Sequence, residues 1–349
     1  MKMEYNNKKS GGLPMKYLKD IENYTPKLNL LETEIAIKFV KDTFERRLAE
    51  SMALTRVSAP LFVSSTSGIN DYLNGWEKVI KFKPLTLDKE LEIVQSLAKW
   101  KRVSLKKYNF QEETGLYTDM NAIRKDEDLD AIHSLYVDQW DWEKVIKKDE
   151  RNLNYLKEVV EVIYKVIVDT LNDVKQKFPS ITTTLPSKIH FITSEELLKM
   201  YPNASKDERE NAICKKYQAV FIIGIGKSLS NGLPHDSRAA DYDDWNLNGD
   251  IVVWNHVINH AFELSSMGIR VDDQSLIEQL TIKNELDKLN NEYCQKIINH
   301  ELPLTIGGGI GQSRLCMLML EKAHIGEVQV SSWSDTYLHE LEKKNIHLL

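Results

Sequence analysis

A domain of mixed α/β class is predicted by three features of this sequence. Two long stretches carry apolar residues at helical spacing, several short apolar runs of strand type lie between them, and a glycine-rich segment leads into an apolar run near the C-terminus. With 349 residues, 42% of them hydrophobic, the chain is long enough for one large domain or two modest ones with a real core. The formal charge of -6 argues against a general basic surface for gripping nucleic acid, while leaving room for a local basic pocket that takes a small phosphate ligand. No apolar run reaches the roughly 18 residues of a membrane span and the first ten residues are polar, so the expected compartment is cytoplasmic. Cys214, Cys294 and Cys316 form neither a close pair nor a zinc knuckle, and are expected as reduced, partly buried thiols.

In chain order, residues 1–28 mix Lys, Asn and Gly with two prolines and are expected to be a flexible extension outside the compact domain. Asn29 and Glu32 form a capping box for a helix through Ile37, Val40, Phe44 and Leu48 to about Met52, and a strand to Pro60 follows. After the turn-rich Gly68-Ile69-Asn70-Asp71 come short strand-like pieces. The segment Val94–Tyr108 then carries Lys99, Lys101, Arg102, Lys106 and Lys107, a cluster that by itself reads as a solvated helix face. Alternation over Leu116–Arg124 places Arg124 on a partly apolar strand face, where a guanidinium needs an anionic partner; a half-exposed hairpin with ordinary surface charges is the alternative. The returning strand, His133–Trp142, sets Val137, Gln139 and Asp141 on one face and Tyr136, Asp138, Trp140 and Trp142 on the other.

Leu156, Val159, Val160, Ile163, Ile167 and Leu171 give a long core-packing helix over Asn152–Phe178. Ile189–Ile192 and Ala219–Ile225 are strand-like, and Thr193 with Glu196 caps a helix between them. Gly224-Ile225-Gly226 lacks dinucleotide-binding spacing and no phosphate loop is present, so any use of ATP needs another architecture. Asp250 and Glu263 sit in strands otherwise suited to burial. They require metal, arginine or hydrogen-bond donors, and either Mg²⁺ on substrate phosphates or ion pairing with Arg238 or Arg270 would serve. Finally, Gly307, Gly308, Gly309 and Gly311 read as a turn opening a buried helix, with Arg314 in its first turn: a place for an anion, or a plain glycine turn with a surface arginine.

Several longer words occur in one order. Gln95-Ser96-Leu97-Ala98-Lys99-Trp100-Lys101-Arg102, Tyr136-Val137-Asp138-Gln139-Trp140-Asp141-Trp142-Glu143, Ala240-Asp241-Tyr242-Asp243-Asp244-Trp245 and Phe262-Glu263-Leu264-Ser265-Ser266-Met267-Gly268-Ile269-Arg270 resemble the ammonia-dependent asparagine synthetases, or aspartate ammonia ligases, relatives of class II aminoacyl-tRNA synthetases. The resemblance spans roughly residues 33–330. It implies one catalytic domain over 29–349, built on a single antiparallel sheet of about eight strands flanked by helices, and a homodimer. It also implies conversion of L-aspartate, ATP and ammonia to L-asparagine, AMP and pyrophosphate through a β-aspartyl adenylate.

By the same resemblance, Arg124 holds the α-phosphate and the adenylating carboxylate, Arg314 the γ-phosphate, and Asp250 and Glu263 carry Mg²⁺. Ser96, Lys101, Gln139, Asp141, Arg238, Asp243 and Ser266 match the aspartate pocket, Lys101 among the catalytic groups; Ser134 and Val137 lie beside adenine and ribose, and Arg270 joins the nucleotide contacts. Where some family members carry an acidic residue near the ammonia site this chain has Ser67, with Asp71 nearby, so the group that deprotonates ammonia stays open. Two other readings remain. An aspartyl- or asparaginyl-tRNA synthetase would carry an anticodon-binding five-stranded barrel before the first helix, where only about 30 residues stand. A non-catalytic paralogue acting as a binding or regulatory module would be expected to lose the phosphate arginines or the carboxylates, and all four are present.

Overall fold

The computed structural model describes residues 17–18, 21, 24–73 and 77–349. Helix α1 (Leu30–Met52) starts at the Asn29–Glu32 capping box, and is followed by strands β1 (Leu54–Arg56), β2 (Phe62–Ser64), β3 (Lys81–Phe82) and β4 (Leu91–Ile93). Helix α2 (Ala98–Lys107), strands β5 (Gly115–Ile123) and β6 (Tyr136–Val145) and helix α3 (Leu153–Lys177) come next. Strand β7 (His190–Thr193), helices α4 (Ser194–Met200) and α5 (Lys206–Tyr217), and strands β8 (Ala219–Ile223), β9 (Asp243–Asn255) and β10 (His260–Arg270) complete the middle of the chain. Helices α6 (Asp273–Lys283) and α7 (Glu292–Ile298), strand β11 (Thr305–Gly311) and helices α8 (Gln312–Met319) and α9 (Asp335–Lys343) close it.

Eight strands form one sheet in the order β1-β5-β6-β11-β10-β9-β8-β7, and β2-β4-β3 form a small second sheet. The large sheet is antiparallel except at its two edges, where β1 joins β5 and β7 joins β8 in parallel. One face is the main core. Trp140 and Trp142 of β6 are fully buried there, and Phe44 of α1 lies against Trp140 with ring centroids 4.7 Å apart. The apolar stripe of α3, from Leu156 to Val174, packs into the same core. The β6 alternation therefore holds: the tryptophan face goes to the core, and Gln139 and Asp141 go to the other side.

Three expectations need correction. The glycine-rich segment is a central strand, β11, and none of its glycines has positive φ. The cluster on α2 is not a solvated face at its first half: Lys99, Lys101 and Arg102 are buried, with Arg102 donating to the carbonyls of Pro303 and Val271. At its described residues the N-terminal segment belongs to the core, since Tyr17, Leu18, Ile21 and Leu28 are buried and the Tyr24 hydroxyl donates to Glu327 at 2.9 Å. Residues 1–16 of that expected extension lie outside the described residues. No helix among the described residues is long and apolar enough to cross a membrane.

Candidate active site

Strand register builds the site. Thr118 of β5, Asp141 of β6, Gly309 of β11, Ser266 of β10 and Asp250 of β9 are successive partners in one row across five strands. The glycine in the middle makes the hollow: a Cβ on Gly309 would stand 2.5 Å from Gln139 Oε1 and 2.7 Å from Asp141 Oδ1. One row further, a Cβ on Gly307 would lie 2.1 Å from Glu143 Oε2 and 2.7 Å from Arg270 Nη2. Close approach of side chains from the flanking strands, and not a turn, is why glycine stands here.

Above this hollow is a cavity of about 460 Å³, within the range usual for small-molecule sites. Its wall contains Ser96, Lys101, Arg124, Ser134, Val137, Gln139, Asp141, Arg238, Asp243, Glu263, Ser266, Arg270 and Arg314. Glu263 and Ser266 differ by three positions, so plain alternation would send them to opposite faces. An irregularity in the β9–β10 pairing between Glu263 and Ser265 inserts the extra residue that lets both reach the cavity. Asp250 is the exception: it does not line the cavity, is 8% exposed, and its carboxylate accepts from Arg238 Nη2 at 2.6 Å. Burial, with the like charge of Glu263, pushes the Asp250 carboxyl up to about 6 despite Arg238.

Arg270 reaches the cavity with its guanidinium already bound to Glu143 through Nε and Nη2 and to Asp243 through Nη1, so it holds Asp243 in place. Burial alone would raise the Glu143 carboxyl, but Arg270 outweighs it and Glu143 lies below its ordinary range. Lys101 donates to the Gly308 carbonyl at 2.7 Å and lies 3.3 Å from Asp141; burial draws its pKa downward. The Ser134 hydroxyl donates to the Tyr136 carbonyl and shares a hydrogen bond with the Ser331 hydroxyl, and Ser96 Oγ accepts from Ala98 N–H at the start of α2.

The two arginines on which the sequence reading placed phosphate differ from Arg270. Arg124 has one long hydrogen bond, Nη2 to the Gln95 carbonyl at 3.5 Å, and its buried Nε has no partner. Arg314 donates from Nη1 to the Glu263 carbonyl at 3.1 Å. The start of α8 is not an open anion site, because the Asp138 carboxylate already accepts the Ser313 N–H at 3.0 Å. The cationic groups facing the cavity are therefore side chains, not the helix end.

Sequence reasoning passed over several groups. Gln95 is buried at the cavity with neither amide atom paired, and Lys206, on α5, lines the cavity while bonded to Asp236. Asp71, noted only as a neighbour of the ammonia position, is 3% exposed; its Oδ1 accepts the Leu73 N–H at 3.1 Å and its Oδ2 has no partner. Burial pushes this carboxyl up to about 6. Glu143 ends one of the quoted words and Arg270 ends another, but nothing in either word pairs the two.

A model of the aspartate-ammonia ligase family matches residues 31–345. An aspartate–ammonia ligase of Ligilactobacillus salivarius is 56% identical over 330 residues, covering 94% of this chain and 98% of that protein. The chain belongs to the aspartate–ammonia ligase family. The same-named protein of Clostridium perfringens is 54% identical over 94% of this chain and 98% of its own length. Membership makes the chain an enzyme, a carbon–nitrogen ligase that joins ammonia to aspartate at the expense of ATP. The fold is shared more widely. An asparaginyl-tRNA synthetase of Pyrococcus horikoshii, complexed with asparaginyl-adenylate, aligns with a TM-score of 0.63 at 16% identity, covering 85% of this chain and 68% of that one. An asparaginyl-tRNA synthetase of Entamoeba histolytica aligns at 0.61 and 14%, covering 86% and 66%. The large mainly antiparallel sheet is thus that of the class II synthetase cores.

Proposed function

We propose that the chain performs this amidation through a β-aspartyl adenylate, releasing AMP and pyrophosphate. The observation that carries this reading is the Asp141–Gly309–Ser266 row under a cavity whose wall holds both Arg124 and Arg314. Ammonia does not displace oxide from a carboxylate, so the β-carboxylate must first be activated. Arg124, with its underused donors, stabilises charge on the α-phosphate as the carboxylate attacks, and Arg314 binds the far end of the triphosphate. Asp141 and Asp243 take the aspartate ammonium, while Lys101 and Arg238, whose buried Nε is unpartnered, take its carboxylates. Gln139, Ser96 and Ser266 complete that pocket, and Ser134 and Val137 border the adenosine.

In the second half-reaction the nitrogen lone pair forms the bond to the β-carbonyl carbon. The C–O bond to the AMP phosphate breaks with its pair on the phosphate oxygen, and a proton leaves the nitrogen. Asp71 is our choice to receive that proton, since it borders the cavity with a free oxygen and its raised pKa brings it toward neutrality.

Mg²⁺ fits the residues present. No group of three or more His, Cys, Asp or Glu side chains suited to a metal gathers among the described residues, but Mg²⁺ held chiefly by substrate phosphates and water needs only one or two carboxylates. Glu263 at the wall and Asp250 behind it, whose mutual repulsion a cation would relieve, are the residues to hold it. Bound there, the ion would neutralise phosphate charge and ease departure of pyrophosphate. Leu30, Leu31 and Ile35 leave an apolar stripe exposed on α1, at 52%, 72% and 51%, which supports pairing of two copies through this helix.

The test is a mass-spectrometric product assay with L-aspartate, MgATP and ammonium chloride in the absence of tRNA. Equal AMP and asparagine are expected. AMP without asparagine would indicate another acceptor for the adenylate, and no nucleotide turnover by folded protein would favour a binding module.

A further inference from the structure

A second, smaller cavity of about 150 Å³ adjoins the first. Asp71, Leu73, Ser237, Arg238 and Ala239 line both, so one wall is common to the two. Inside, Lys99 donates to Asp241 at 2.9 Å, both side chains being almost wholly buried, and Tyr293 stands beside Lys99 with its ring centroid 5.9 Å from Nζ. The outer lining is Gly68, Tyr72, Lys283, Glu285, Lys288 and Asn291. Gly68 and Asn291 face each other there, a Cβ on the glycine meeting Asn291 Cβ at 3.5 Å. The acids Asp71, Asp241 and Glu285 stand among Lys99, Lys283, Lys288 and the shared Arg238, so the lining mixes both signs with one cation in excess and presents no strong field.

We propose that this side cavity is the port by which ammonia, or a comparably small amine nucleophile, reaches the reacting centre, separately from aspartate and ATP. This rests on the reading that the main cavity holds an aspartyl adenylate. Aspartate and nucleotide bound in the main cavity would keep bulk water from a hydrolysable intermediate. A nucleophile arriving afterwards needs a second way in. The side cavity offers it, and its inner wall carries the Asp71 carboxylate, whose Oδ2 is buried and without a hydrogen-bond partner. Its small volume suits ammonia and excludes a nucleotide.

Lys288 gives access to a test, because it lines only the side cavity and has no place in the proposed aspartate or nucleotide contacts. Lys288→Trp narrows the port, and Lys288→Ala removes the same charge and the ion pair with Glu285 without narrowing it. Steady-state constants for ammonia, aspartate and ATP would be compared with aspartate-dependent ATP–pyrophosphate exchange, which reports adenylation without ammonia. Expected is a rise of about tenfold or more in KM for ammonia in Lys288→Trp only, with exchange and the other two KM values unchanged. Lys283→Trp, placed on the same lining, should repeat the effect if Lys288→Trp fails to fold. Equal effects in Lys288→Trp and Lys288→Ala would make the role of Lys288 electrostatic and overturn the port, as would unchanged KM for ammonia in both tryptophan variants. Absence of exchange in the parent protein would instead overturn the adenylate reading.

Discussion

Arg270 donates to both carboxylate oxygens of Glu143, from Nε at 3.1 Å and from Nη2 at 2.8 Å, in a pair that is almost completely buried. Thr305 adds a hydrogen bond to Glu143 Oε1 at 2.7 Å, and Asp243 takes the remaining arm of the guanidinium. The pair joins β6 to β10 across the glycine of β11, so it belongs to the fold and to the site at once. Removing one partner from such a pair leaves an uncompensated buried charge, at a cost of about 3–5 kcal/mol. Glu143→Gln and Arg270→Gln should each lose stability on that order in urea denaturation, and Arg270→Gln should also raise KM for aspartate because Asp243 is no longer held. Either variant unfolding at the parental midpoint would contradict this assignment.

Arg124 should behave in the opposite way. Its single long hydrogen bond contributes little to the fold. Arg124→Ala is expected to keep the parental melting temperature within a few degrees and to lose ATP–pyrophosphate exchange by at least about a hundredfold, the scale of removing one preorganised donor to a developing anion. Near-normal exchange in the folded variant would remove its role.

Alanine substitutions along β11 would separate site from scaffold. Gly309→Ala places a methyl group against the Gln139 and Asp141 oxygens, and should raise KM for aspartate by about tenfold or more with a modest loss of stability. Gly307→Ala pushes into the Glu143–Arg270 pair and should destabilise by several kcal/mol, with little soluble protein recovered. Paired thermal melts and aspartate titrations would show whether the two glycines differ in this sense.

Asp71 gives a pH-dependent prediction. Its carboxyl is raised by burial from an ordinary 3.8 to about 6, so between these values the folded chain binds more protons than the unfolded one. Stability therefore falls as pH rises through that window, and the penalty is fully present at neutral pH. Asp71→Asn should be more stable than the parent at pH 7, on the order of 2 kcal/mol, with the difference closing as the pH falls toward 4. Ammonia-dependent turnover should be lost while ATP–pyrophosphate exchange survives. A variant with parental turnover would exclude Asp71 as the proton acceptor.

Patterns local to one segment were legible without coordinates. The capping box at Asn29, the stripes of α1 and α3 and the two faces of β6 all follow from side-chain periodicity, which depends only on backbone geometry. The long words around Lys101, Asp141, Asp243 and Ser266 identified the family, and the cavity wall contains each of these residues. What the tertiary structure alone decided are relations between segments far apart in the chain. The glycines of β11 looked like a turn because their reason lies on β6 and β10, whose side chains need the space a Cβ would fill. Lys99, Lys101 and Arg102 looked solvated because Asp241, the Gly308 carbonyl and the carbonyls of Val271 and Pro303, their buried partners, come from more than a hundred residues away. The same holds for Arg270, Asp250 and the free oxygen of Asp71: composition states that a buried charge needs a partner, but only strand register and packing determine which partner it meets and which charge is left for substrate.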